Sequence, residues 1–233
     1  MTTLETSVAH ETAPLWFVVA FRAMKERASD YRSMACRNAE QRVIALCAGG
    51  SRVLGLGGGP FRVHPRIVNL NIAKLAEVDV IGDAHRLPFA DNSFDAAHCE
   101  AVFEHLPDPH IAAAELHRVL RPGAIGYICT PFMQAFHGYP SHYQNFTCEG
   151  HKRLFERAGF QIKDAGAATG PAWALCANVS TFIATYSPKY LRLVLRAVWH
   201  VMAKPIRMLD LRLSEHRNAA IAASSTYVLI EKR

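Results

Sequence analysis

From about position 52 onward, short apolar runs alternate with polar or glycine-rich stretches. Runs at 52–56, 66–70, 78–81, 94–99, 124–130, 160–165 and 226–231 predict seven strands. Helical periodicity fills other segments. Positions 16–47 read as a helical stretch, with mixed charges from Lys25 to Arg42 and a stop at Gly49-Gly50. A second helix starts at Asp108, predicted as its N-cap, with Pro109 in the first turn and Ile111, Glu115 and Val119 at helical spacing. Arg121-Pro122-Gly123 is expected to stop it. A third helix covers 149–158 and closes at Gly159. Strands alternating with helices imply a mostly parallel sheet. About ten residues, Pro60 and Pro65 among them, separate the first strand from the second, and about seven the second from the third; a crossover helix needs about a dozen. The early crossovers are therefore expected to be loops or single turns.

Before the last strand lies an insert, predicted over 171–218. The stretch 165–188 carries no charge, but Gly166, Gly170, Pro171 and Asn178 interrupt it, which argues against a membrane span. Over 189–204, Leu191, Val194, Leu195, Val198, Val201 and Met202 share one helical face. Lys189, Arg192, Arg196 and His200 share the opposite one, Trp199 stands at the border, and Pro205 is expected to end the helix. This pattern suits a helix lying on an anionic bilayer. It suits equally a helix packed on the sheet or in a homodimer. The insert is also placed to cover an acceptor.

Charge and cysteines narrow the picture. Between 189 and 217 seven basic residues face only Asp210 and Glu215, so five of the six net positive charges sit in the insert. That local excess implies no broad nucleic-acid footprint. The six cysteines form no CxxC pair, so neither a zinc site nor a redox pair is indicated, and no metal is expected. Glu5 and Glu11 stand where a signal peptide has basic residues, and the apolar run 14–21 is too short to span a bilayer. A cytoplasmic protein is expected, at the inner face of a membrane if the 189–204 helix docks there.

The candidate chemistry begins at Val53-Leu54-Gly55-Leu56-Gly57-Gly58-Gly59-Pro60. A strand running into glycines lets backbone approach a ligand at the carboxyl end of a parallel sheet. GxGxxG is not met, because its sixth position is Pro60 or Arg62, and no phosphate loop is present. Three blocks follow: Asp83-Ala84-His85-Arg86-Leu87-Pro88-Phe89; Asn92-Ser93-Phe94-Asp95 leading to Glu100-Ala101-Val102-Phe103-Glu104-His105-Leu106-Pro107-Asp108; and Glu115-Leu116-His117-Arg118-Val119-Leu120-Arg121-Pro122-Gly123. In order and spacing these blocks resemble the type 11 group of class I S-adenosylmethionine-dependent methyltransferases. The layout around Pro131, His137, Tyr143 and Phe146-Thr147 resembles a subgroup associated with bacterial surface-glycan synthesis.

The resemblance implies an α/β, Rossmann-like, mostly parallel seven-stranded sheet with shortened N-terminal crossovers. It would comprise an N-terminal helical segment (1–50) and a methyltransferase domain (51–233). It implies S-adenosylmethionine as cofactor, with Gly55, Gly57 and Gly59 around the methionyl part and Asn71 at the ribose. Asp83 and Ala84 would meet the adenine, and Glu100 and Ala101 the sulfonium. The implied reaction is O-methylation of a small-molecule or glycan acceptor, lipid-linked in one version. His105, His137, His142 and Tyr143 are the candidates for proton handling. Two positions depart from the family, which usually has Asp at Gly55 and an acidic residue at Asn71. They leave open an alternative: a methyltransferase-fold scaffold protein with little or no cofactor binding.

Overall fold

The computed structural model describes residues 31–59, 62–138 and 141–233. The part of the predicted N-terminal helical segment before Tyr31 lies outside the described residues. What is described of it is helix α1, Met34–Ala48, capped by Ser33, whose Oγ accepts from Cys36 N and donates to Ala167 O.

Seven strands form one sheet: β1 Val53–Leu56, β2 Ile67–Asn71, β3 Val80–Ile81, β4 Phe94–Glu100, β5 Leu120–Pro131, β6 Phe160–Thr169 and β7 Ser225–Lys232. Their order is β3-β2-β1-β4-β5-β7-β6. β1 to β5 run parallel to one another, and β7 is antiparallel to both β5 and β6. This is the predicted α/β Rossmann-like, mostly parallel seven-stranded sheet. No helix lies among the described residues between β1 and β2 or between β2 and β3, so both early crossovers are loops, as the spacing required.

The strands' alternation sorts the core into two layers. Val53, Ile67, Ala96, Tyr127 and Leu229 face α1 through Cys36, Ala39, Val43 and Cys47. Leu54, Leu70, Ala97, Cys99, Ile128 and Val228 face α2, Pro109–Val119, and α3, Cys148–Arg157. The buried stripe of α2 is Ala112, Ala113, Leu116 and Val119; Ile111 points outward and is half exposed. Asp108 occupies the N-cap position of α2 without a side-chain cap bond, and Pro109 begins the helix. The expected stop at Arg121-Pro122-Gly123 needs correcting. The helix ends at Val119, and the tripeptide sits in the first part of β5, where the β4 register shifts between Phe94 and Ala96 and Gly123 has φ +81°.

The insert is a helical hairpin: α4, Pro171–Tyr186, and α5, Lys189–Met208, followed by a short turn of helix, α6, Asp210–Leu213. Pro205 lies inside α5 and does not end it, because its missing N–H costs one hydrogen bond in a last turn that continues to Met208. α5 packs on α4 along the edge carrying Trp199 and Ala203. Trp199 Nε1 donates to Ser180 Oγ at 3.0 Å, and Ala203 is buried. The Leu191, Val194, Val198, Val201 and Met202 face is instead exposed, Val201 at 65%. A buried carboxylate joins this hairpin to α6: Asp210 accepts from Ala172 N at 3.0 Å and Trp173 N at 2.6 Å, capping the start of α4 from far along the chain. No described helix is long and apolar enough to cross a membrane.

Candidate active site

The register aligns Leu56 with Leu70 and Cys99, and Asn71 with Ile81, so the loops after β1, β2, β3 and β4 gather at one edge. A cavity of about 450 Å³ opens there. Of the residues expected to hold a cofactor, Gly57, Asn71, Asp83, Ala84, Glu100 and Ala101 line it; Gly55 and Gly59 do not. Gly57 has φ +76°, and a Cβ there would stand 2.1 Å from Val102 Cγ2, so only glycine fits this turn without strain. Gly55 lies within β1 opposite Asn69, and a Cβ on it would stand 2.3 Å from Asn69 Oδ1. The buried Asn69 amide therefore fills the space that a side chain at position 55 would need. Its Nδ2 donates to Glu77 O at 2.8 Å.

Asn71 is largely occupied with the protein itself. Its Nδ2 donates to Gly57 O at 3.1 Å and Gly58 O at 3.0 Å, and its Oδ1 accepts from Ala73 N at 3.0 Å. It holds the glycine loop against β2, leaving its Oδ1 with one spare lone pair. Asp83 is about half exposed and accepts from His85 N at 2.9 Å and His85 Nδ1 at 2.7 Å.

A second cavity, about 250 Å³, adjoins the first. Its walls include Thr130 and Pro131 at the end of β5, His137 in the following loop, and Trp173, Ala177 and Thr181 from α4, so the insert roofs it. Glu100 and Ala101 belong to the walls of both cavities. Ala101 holds φ +56°, an uncommon conformation for a residue with a Cβ, and its N–H donates to Cys129 O at 2.9 Å. A strained residue thus forms the partition between the two spaces.

Beneath the partition, on the α1 side, lies a buried charge network. Arg32 donates to Glu40 Oε2 at 2.8 Å and Glu100 Oε1 at 2.5 Å, and His98 Nε2 donates to Glu40 Oε1 at 2.9 Å. Burial opposes the charges here. The Glu100 and Glu40 carboxylates nevertheless hold Arg32 above its ordinary pKa, while the His98 hydrogen bond and Arg32 hold Glu40 below its own.

Glu104 lines the smaller cavity together with Arg32 and Glu100, fully buried, with neither side-chain oxygen hydrogen-bonded. Burial, with a smaller contribution from Glu100, pushes its pKa up to about 8. His105 Nε2 lies 3.7 Å and His137 Nε2 3.9 Å from Glu104 Oε1. Burial lowers the pKa of both histidines, so both favour the neutral form. His105 faces the larger cavity and His137 the smaller.

The remaining two candidates are placed otherwise. His142 lines neither cavity. Its Nδ1 accepts from His137 N at 3.1 Å and its Nε2 donates to Asn145 Oδ1 at 2.7 Å, so both nitrogens are used in shaping the loop. The Tyr143 ring is 57% exposed at the rim of the larger cavity, away from the smaller one. Glu104 was read within a motif but not among the site residues, and Arg32, Glu40 and His98 were missed altogether. The Glu104-His105 pair beside a β4 terminus was the available signal for the first. Nothing local marked the others.

Comparison with known proteins agrees with this geometry. Residues 63–128 match the family described as "Methyltransferase domain". A stretch of 67 residues is 39% identical to an uncharacterized methyltransferase of Schizosaccharomyces pombe, over 28% of this chain and 23% of that protein. An uncharacterized methyltransferase of Mycobacterium sp. (strain KMS) is 29% identical over 170 residues, 61% of this chain and 66% of that protein. The chain thus spans under a quarter of the first relative's length and about two thirds of the second's. Among solved structures, an S-adenosylmethionine-dependent methyltransferase of Thermotoga maritima superposes with a TM-score of 0.52 at 18% identity, covering 94% of this chain and all of that one. The 1,6-didemethyltoxoflavin-N1-methyltransferase of Burkholderia thailandensis, solved with S-adenosylhomocysteine, gives 0.52 at 16% identity over 96% and 92% of the two chains. The fold is that of class I methyltransferases.

Proposed function

We propose that this chain, with its methyltransferase-domain segment on a class I methyltransferase fold, transfers a methyl group from S-adenosylmethionine to a hydroxyl of a small-molecule or glycan acceptor. The observation that carries this is the pair of cavities meeting at Glu100–Ala101 beyond the carboxyl ends of the strands. The larger has the volume of a nucleoside-sized ligand site. Asp83 would accept from an adenine amine, Gly57 would let backbone approach the amino-acid part, and Glu100 offers a carboxylate wall to a sulfonium. When bound, the cofactor supplies an electrophilic methyl group; the protein's share is to hold donor and acceptor at near-attack distance. The smaller cavity, roofed by α4, would exclude water from the acceptor, and the Glu104, His105 and His137 cluster would take the hydroxyl proton.

Calorimetry with S-adenosylhomocysteine tests the first half. One site per chain is expected, weakened at least about tenfold by Gly57→Val, which the positive φ and the Val102 contact oppose. No heat at millimolar ligand would overturn it and favour the scaffold alternative raised by Gly55 and Asn71. Transfer of radiolabelled methyl to glycan acceptors tests the second half. A product that resists mild base supports an ether, and a labile one points to an ester.

The exposed apolar face of α5, with Lys189, Arg192 and Arg196 on the opposite side of the helix, supports docking on an anionic bilayer, where a lipid-linked acceptor would be presented. Co-sedimentation with phosphatidylglycerol vesicles is expected to fall with salt and with Arg192→Glu plus Arg196→Glu. No binding, together with a dimer in sedimentation, would replace this with an α5-mediated homodimer.

A further inference from the structure

The cluster at the wall between the cavities brings together two imidazole lone pairs and one buried carboxyl group, whose proton a bound cation would displace. The His105 ring is tied through Nδ1 to Ser141 O, and the His137 ring through Nδ1 to Ala135 O at 3.1 Å. A carbonyl oxygen only accepts, so each Nδ1 carries the ring hydrogen and each Nε2 presents a lone pair. Both lone pairs and the unpartnered Glu104 carboxylate converge, their ligand atoms within 4.8 Å of one another. At 3.7 and 3.9 Å the imidazoles are too far from Glu104 for a hydrogen bond, so no contact among the three offsets the burial of these polar atoms.

The geometry points to a binding site for one divalent transition-metal ion, such as zinc, held by Glu104, His105 and His137 with open positions toward the acceptor pocket. Two imidazoles and one carboxylate are a donor set suited to such ions and leave coordination free for a substrate oxygen. Ligands about 2.1 Å from a tetrahedral ion stand about 3.4 Å apart. The two Glu104–imidazole separations of 3.7 and 3.9 Å are close to this, and the imidazole pair, within 4.8 Å, would close by at most about 1.4 Å. The backbone carbonyls at both Nδ1 atoms supply the outer contacts that fix tautomer and ring plane in metal-ligating histidines. His142 belongs to this support, since its Nδ1 holds the His137 backbone N–H. The other carboxylate–histidine group, Glu40, His98 and Glu100, is different: the Arg32 guanidinium already bonds both of its carboxylates.

Metal binding here stands apart from the methyl-transfer reading; only its consequence for the acceptor rests on that reading. A hydroxyl coordinated to the ion would become more acidic and would give up its proton more readily to water or a nearby base, leaving a metal-bound oxyanion as nucleophile.

The test uses the full chain, stripped with a chelator and dialysed, then titrated with cobalt(II) and followed by visible absorption, with zinc as competitor. One equivalent is expected to bind and to give the intense bands of a four- or five-coordinate ion, displaced by zinc. Glu104→Gln, His105→Ala and His137→Ala are each expected to weaken uptake by about 100-fold, whereas His110→Ala on the surface of α2 leaves it unchanged. No uptake by the wild type, or equal uptake in all three variants, would overturn the proposal. If Glu104→Gln does not fold, judged by circular dichroism, the two histidine variants decide. S-adenosylhomocysteine titrated into the metal-free protein reads the cofactor site separately, so failure of one reading is distinguishable from failure of the other.

Discussion

Gly55→Ala is the smallest change that tests how the cofactor loop is built. The added Cβ would stand 2.3 Å from Asn69 Oδ1 and 3.4 Å from its Cγ. Asn69 is 2% exposed, and turning its amide away breaks the 2.8 Å bond to Glu77 O. Overpacking of a dense interior costs about 1–3 kcal/mol. Losing the amide bond adds about 1 kcal/mol. Gly55→Ala alone should therefore destabilise by about 2–4 kcal/mol. Asn69→Ala alone loses the bond and leaves a small void, at about 1–3 kcal/mol. In the double variant the new methyl occupies the vacated space, so the overpacking part of the cost disappears. Urea unfolding of wild type, both single variants and the double variant gives the coupling directly. A favourable coupling of about 1–3 kcal/mol is expected. If Gly55→Ala lies within 0.5 kcal/mol of wild type, or the two costs simply add, Asn69 does not exclude a side chain at position 55. The same reasoning says that Asp at 55 is accommodated only together with a smaller residue at 69.

Three further outcomes follow from buried polar groups. Burial pushes the wholly buried His151 down to about 3, so the folded protein binds its proton less readily than the unfolded chain does. Its contribution is complete above about pH 6.5 and is lost as pH falls from there toward 3, by up to about 5 kcal/mol, and His151→Gln should flatten this acid limb in urea midpoints taken against pH. A slope unchanged by the substitution would show that His151 is not its source. Arg32→Met removes the buried guanidinium that bonds both Glu40 and Glu100 and should cost about 3–5 kcal/mol in chemical denaturation, against under 1 kcal/mol for a solvent-exposed pair. Asp210→Ala removes both acceptors at the start of α4; a loss of about 1–2 kcal/mol and faster amide exchange at Ala172 and Trp173 are expected, and unchanged exchange would refute the cap.

The seven strands, their boundaries to within a few residues and the loop-like early crossovers were legible in the sequence. The period-2 and period-3.6 patterns are local, and glycine and proline mark breaks by their own backbone chemistry. The block from Asp83 to Gly123 likewise carries the methyltransferase-domain resemblance by itself. The site was legible only in part. Six of the eight expected cofactor residues meet at one cavity because they end parallel strands. Gly55 does not, because alternation along β1 turns it toward Asn69. Of the four proton-handling candidates, His105 and His137 came together at Glu104, while His142 spends both nitrogens on its own loop and Tyr143 stays at a rim. The network of Arg32, Glu40 and His98 and the remote cap from Asp210 had no sequence signal, and the apolar face of α5 was legible as a face but not as one that stays solvent-exposed. Each depends on which distant segment lies opposite and how much water it displaces. Burial and hydrogen-bond partnership are set by tertiary contacts, and those properties decide whether a carboxylate or an imidazole becomes a support or a working group.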